Sequence, residues 1–149
     1  MSSDLDFMAA ALDEARAASA AGEVPIGAVA VLDGQIIARG QNRVLRDNDP
    51  TAHAEVIALR AAAIALRNYR LNGVTLYVTL ESCSMCAGAI IHARIDKLVY
   101  AAADPKAGAC GSVLSVLNHP QLNHQLMVES GPLAEESAEL LRSFFRERR

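Results

Sequence analysis

Two short motifs carry residue types that could do chemistry together: His53-Ala54-Glu55 and Cys83-Ser84-Met85-Cys86. Cysteines three positions apart at a helix start can point both sulfurs to one side, and a helix N-terminus favours thiolate over thiol. One imidazole and two thiolates give a zinc ion three ligands and leave a fourth tetrahedral position open, the pattern of a catalytic rather than a closed structural site. Zinc in such a site brings the ionisation of bound water to about pH 7. Glu55, two positions from His53, can reach that open position without becoming a ligand, and can take up a proton and return it to a substrate. Hydrolytic removal of an amino group from an aromatic ring needs hydroxide attack, ring nitrogen protonation and protonation of the departing ammonia. One carboxylate can serve all of these.

Other readings of the same residues stay open at this point. A CxxC alone is as readily a redox pair or half of a structural metal site, and strand, CxxC, helix is also the thioredoxin arrangement. The HxE favours a metal, because a redox pair leaves it without work. His92, His119 and His124 read as structural, Met85 as core, and Cys110 as an inert small side chain in a Gly-rich loop. Phe144 and Phe145 read as packing residues, and the arginines beside them as a solvated face.

The elements that must position these residues follow from capping signals and periodicity. Ser3 can cap a helix whose Leu5, Met8, Leu12 and Ala15 share a face, and Gly22 suits its end. Ile26 to Leu32 reads as a strand, and Asp33-Gly34 as a two-residue hairpin returning the chain through Gln35 to Arg39. Asp49-Pro50 is a helix start, with Thr51 to Leu66 following. Val74 to Leu80 is a buried strand. Ser82 or a neighbour opens a helix through His92, and Lys97 to Ala102 is another strand. Asp104 to Gly111 is a loop. A short helix at Ser112 to Leu117, a weak strand at Leu126 to Glu129 and a helix from Pro132 complete the chain, with Leu133, Leu140, Leu141 and Phe144 facing inward. Strands alternating with helices after a hairpin imply an α/β sandwich, with helices on both faces of a mixed sheet and ligands at the carboxyl ends of strands.

The 149 residues suit one domain, spanning 1–149, and the 52% apolar content supplies a core. Disordered and collagenous chains are excluded. Asp4 and Asp6 precede any basic residue and no long apolar run follows, so a secretory signal is not expected. The longest stretch free of charge, Ala107 to Val128, is too polar to span a bilayer. Three cysteines make no disulfide framework and fit a reducing compartment, by default the cytoplasm. The net charge of -3 is uneven: residues 1–33 have one Arg against six acids, whereas residues 34–70 sum to +3 and residues 137–149 to +2. Such an acidic total argues against non-specific nucleic-acid affinity but leaves room for local phosphate contacts.

The whole chain resembles the bacterial tRNA-specific adenosine deaminases of the zinc-dependent nucleoside deaminase superfamily. The resemblance runs through EVPIGAV at Glu23 to Val29, Asn42, DPTAHAE at Asp49 to Glu55 and NYRL at Asn68 to Leu71. It continues in TLYVTLESCSMCAGAIIHARI from Thr75 to Ile95, DPKAGACGS from Asp104 to Ser112, HPQLNH from His119 to His124 and the terminal FFRERR. The paired HxE and PCxxC signature is a described property of zinc deaminases, not something that spacing alone establishes.

The resemblance implies His53, Cys83 and Cys86 as ligands of one Zn²⁺ per subunit and Glu55 as proton shuttle. It implies Asn42 and the backbone near Ala54 and Cys83 as holding the target base. Asp104 and Lys106 match loop positions that approach RNA, and Arg146, Arg148 and Arg149 end a helix on the RNA side. The implied fold is a three-layer α/β/α cytidine deaminase-like one, with a five-stranded mixed sheet flanked by helices. The implied enzyme is a homodimer with no membrane association. It would convert adenosine to inosine at the wobble position of a tRNA anticodon stem-loop, where a loop base is already partly unstacked. Where the family usually reads Pro before the first cysteine this chain has Ser82, whose hydroxyl is expected to cap the helix. His53 in place of a third cysteine points away from the free cytidine deaminases, although cytosine and guanine deaminases share this ligand set.

Overall fold

The computed structural model describes residues 3–148. Its elements are α1 (Asp4–Ala20), β1 (Gly27–Leu32), β2 (Gln35–Gln41), α2 (Ala54–Leu66), β3 (Thr75–Leu80), α3 (Ser84–Ala93), β4 (Lys97–Ala102), β5 (Met127–Ser130) and α4 (Ala134–Arg146). The sheet runs β2-β1-β3-β4-β5. The β1 strand is antiparallel to β2 and β3, whereas β3, β4 and β5 are parallel, so the sheet is mixed as expected.

Period-two alternation divides the sheet's side chains between two cores. Ala28, Ala30, Leu76, Val78 and Leu98 face one way, onto Ala54, Ala58 and Ala62 of α2 and Ala87 and Ile90 of α3. Val29, Val31, Tyr77, Val99 and Ala101 face the other way, onto Phe7, Met8 and Ala11 of α1, with Leu133 beside them. The α4 helix packs on that second face against β3 and β4. Helices on both faces of the sheet give the three-layer α/β/α fold. Among the described residues no helix is long and apolar enough to cross a membrane.

Local signals explain most element ends. Ser3 and Asp6 form a reciprocal capping box at α1. Asp33 and Gly34 both adopt positive φ, 51° and 76°, the left-handed pair that a two-residue hairpin turn demands. A Cβ on Gly40 would lie 2.3 Å from Ala54 O and 2.7 Å from Ala58 N, so the bare glycine lets the start of α2 sit directly on β2.

The structure corrects several sequence expectations. Leu5 is exposed, and Phe7 takes its place in the core with Met8, Leu12 and Ala15. The α2 helix starts at Ala54 rather than Thr51, because the Asp49 carboxylate accepts both the backbone N–H and the hydroxyl of Thr51 and holds residues 49–52 in a turn. No helix forms at Ser112 to Leu117. That segment folds back on residues 108–110, with a Cys110–Ser115 bridge and N–H groups of Val113 and Leu114 donating to Gly108 O. The α4 helix begins at Ala134, two residues beyond Pro132, and Leu140 and Leu141 are only half-buried where Phe144 is buried.

Candidate active site

Parallel β3 ends at Leu80, and three residues later Cys83 is the N-cap of α3, while His53 is the N-cap of α2. Both N-caps are extended, and neither side chain caps its helix. The imidazole and thiol are thereby free to turn toward each other at the carboxyl ends of the strands. His53 Nδ1 lies 3.4 Å from Cys86 Sγ and 3.6 Å from Cys83 Sγ. All the donor atoms of this trio fall within 4.8 Å of one another, and no other His, Cys or acidic group among the described residues converges in this way. Zinc bonds of 2.0–2.3 Å at tetrahedral angles put an N and an S donor about 3.6 Å apart, so the trio fits zinc without rearrangement.

The charges suit a cation. Hydrogen bonding from Cys86 and then from His53 holds the Cys83 thiol down at about 3. The same bond to Cys83, with burial, pushes the Cys86 thiol up. Its hydrogen bond with Cys83 raises the His53 imidazole against the opposing effect of burial. All three cysteines are free, and both sulfurs of the CxxC face the imidazole.

Glu55 follows in the first turn of α2 and is buried. Burial pushes its carboxyl above the ordinary range, against the pull of a hydrogen bond from Ser82. That bond corrects the expected role of Ser82. Cys83 occupies the N-cap position instead, and the Ser82 hydroxyl donates to Glu55 Oε2 at 2.8 Å.

Asn42, nearly buried just after β2, accepts the Val44 N–H on Oδ1 at 3.2 Å. The next residue ties this turn to the site, because the Arg43 N–H donates to Ala52 O directly before His53. Asp104 starts the loop after β4, and its Oδ1 accepts the N–H groups of Lys106 and Ala107. Asp104, Lys106 and Arg146 are brought together on a groove of about 830 Å³, lined also by Leu80 and Phe145. His53, Glu55 and the cysteines do not line it, so it is a second surface beside the site. Arg146 donates to Glu139 at 2.8 Å, and the Arg148 guanidinium lies 3.5 Å above the Phe144 ring. Arg149 lies outside the described residues.

Sequence reasoning gave no role to Glu81. Its buried carboxylate accepts N–H groups of Asp104, Cys110 and Ser112 and the Ser112 hydroxyl. A carboxylate closing an apolar strand was the available signal, since a buried charge needs partners.

The sequence profile of the MafB19-like deaminases matches residues 2–149. The chain belongs to this deaminase family. The deaminase is 54% identical over 143 residues to the tRNA-specific adenosine deaminase of Agrobacterium fabrum (strain C58), covering 96% of this chain and 94% of the relative. It is 47% identical over 149 residues to the enzyme of the same name from Bacillus subtilis (strain 168), covering 100% and 92%. Among solved structures, a chain from studies of A-to-I editing by tRNA:A34 deaminases at the wobble position of transfer RNA superposes with a TM-score of 0.89. It is 52% identical, over 92% of the deaminase and 99% of that chain. The guanine deaminase of Bacillus subtilis superposes with a TM-score of 0.67 at 45% identity, over 74% and 71%.

Proposed function

We propose that this chain, as one deaminase domain, hydrolyses adenosine to inosine at the wobble position of a tRNA anticodon. The observation that carries the reading is the convergence of His53, Cys83 and Cys86 beside buried Glu55, in a chain similar to tRNA-specific adenosine deaminases over nearly its whole length. Zinc, one ion per subunit, is the cofactor that this donor set fits, and when bound it supplies the Lewis acidity that lets water act as a nucleophile near neutral pH.

Glu55 takes one proton from water as its oxygen adds to C6 and gives it to the ring nitrogen N1, then takes the second proton from that oxygen as the C6 carbonyl forms and gives it to the amine, which leaves as ammonia. One C–O bond forms, one C–N bond breaks, and the carboxylate ends as it began. Asn42 has its Oδ1 engaged by Val44, which leaves the amide nitrogen to donate to the base. The N–H of Ala54 lies in the first turn of α2, where helical partners are lacking, and is free to face the substrate. Asp104, Lys106 and Arg146, on one groove, supply loop and phosphate contacts to the anticodon arm. Arg148 and, in sequence, Arg149 continue the run of basic residues after Arg146.

A tRNA substrate supports a cytoplasmic location for the enzyme. Exposed apolar Met85, beside the ligand Cys86, and exposed Leu114 suit a homodimer in which a second copy covers them. Sedimentation at micromolar concentration tests that assembly, with a monomer as the contrary result. The likeness to a guanine deaminase favours free guanine as the second reading. Parallel assays of an anticodon stem-loop, free guanine and free cytosine separate the two. Inosine at the wobble base supports the first, and turnover confined to a free ring displaces it.

A further inference from the structure

Ser82 has no solvent exposure, and its hydroxyl donates to Glu55 Oε2 at 2.8 Å across 27 residues of sequence. Its own place is fixed from both sides. Ser82 O accepts the Ala109 N–H at 2.8 Å, the preceding Glu81 is held by the loop after β4, and the following Cys83 is the N-cap of α3. No hydrogen bond from the Ser82 N–H occurs among the described residues, so its polar contribution comes through the hydroxyl and the carbonyl. A carboxylate rotates readily about its last torsion, which is broad and two-fold. A donor fixed to one oxygen removes that freedom.

We propose that Ser82 is a positioning residue for the deamination, its hydroxyl pinning Glu55 Oε2 so that Oε1 is the oxygen presented for proton transfer. The inference rests on Glu55 being the proton carrier. A misdirected carboxylate still allows substrate to bind and zinc to be held, so the loss falls on the chemical step.

The test uses the zinc-loaded protein with Ser82→Ala, which removes the hydroxyl and keeps the buried Cβ, and Ser82→Thr, which restores a hydroxyl. Three quantities are read: kcat and KM on an anticodon stem-loop, zinc content, and the Glu55 side-chain carboxyl ¹³C resonance at one fixed pH, assigned with Glu55→Gln. In Ser82→Ala we expect kcat to fall about tenfold, the scale of one hydrogen bond to an ionised group, with KM and zinc unchanged and the resonance displaced. Ser82→Thr returns both kcat and the resonance. Unchanged kcat and resonance in Ser82→Ala overturn the proposal, as does a loss of kcat that tracks a loss of zinc. Should threonine not fit, the kcat-against-KM split and the resonance in Ser82→Ala decide alone. Glu55→Gln keeps the two ideas apart. Inactivity there with normal Ser82→Ala sinks only the positioning role, whereas activity there sinks the proton-carrier reading itself.

Discussion

Glu81 Oε1 accepts the backbone N–H of Asp104 at 3.1 Å, so the strand end leading into the cysteine turn and the loop carrying Asp104 and Lys106 are held as one piece. Its other oxygen accepts the N–H groups of Cys110 and Ser112 at 3.0 and 3.1 Å. Burial raises the Glu81 carboxyl, but the Ser112 hydroxyl and these backbone donors outweigh it and hold the group below its ordinary value. Gly108 is part of the same fitting, since a Cβ there would lie 2.4 Å from the Glu81 carboxylate carbon. Glu81→Gln places an amide among donors. We expect a loss of about 1–3 kcal/mol in denaturant unfolding and weaker RNA binding, with zinc retained. Gly108→Ala should displace the same loop. Unaltered RNA affinity in both variants would show that the loop does not depend on this carboxylate.

Removal of the proton carrier should separate chemistry from folding. Glu55→Ala is expected to retain zinc stoichiometry while turnover on an anticodon stem-loop falls about 10²- to 10⁴-fold. Near-normal turnover would assign proton transfer to another group.

The donor trio predicts metal dependence of both activity and stability. Chelation should abolish turnover and lower Tm, and stoichiometric zinc should restore both. His53→Ala should show neither full zinc content nor restoration. Full activity after exhaustive chelation would remove the metal from the reaction.

Buried Glu23 predicts a pH dependence of stability away from the site. Burial raises its carboxyl, but backbone N–H groups of Arg46 and Leu45 and the Arg46 guanidinium at 3.0 Å outweigh this and set it below the ordinary 4.5. A depressed folded-state value means stability that is fully present above the unfolded-state value and lost as pH falls through the folded one. The Tm difference between the native chain and Glu23→Gln should therefore be largest above about pH 5 and shrink on acidification. A constant difference from neutral pH to pH 3 would contradict the linkage.

Basic residues at the end of α4 are expected to act through phosphates. Neutralising Arg146, Arg148 and Arg149 should weaken stem-loop binding and reduce its salt slope by about 1 to 3. Arg146 is already paired with Glu139, and Arg148 lies 3.9 Å from the Glu147 carboxylate. A slope that does not change would leave these side chains as solvent-facing charge.

Local information fixed much of this molecule before any contact was known. The Ser3 cap, the Asp33-Gly34 turn, the buried strand at β3 and the HxE and CxxC spacings are legible because each concerns neighbours along the chain. Where the chain bends back on itself, local signals misled. Ser112 to Leu117 satisfies helix periodicity, yet Glu81, 31 residues away from Ser112, captures its first N–H and hydroxyl, and the segment pairs with residues 108–110 instead. Likewise Ser82 carries the right chemistry to cap a helix, but the carboxylate of Glu55 lies within reach and is the stronger acceptor for a buried hydroxyl. The sequence by itself determined which side chains could bind a metal and carry protons. Tertiary structure decided which buried carboxylate each donor serves, because that depends on which segments meet at the carboxyl ends of β3 and β4.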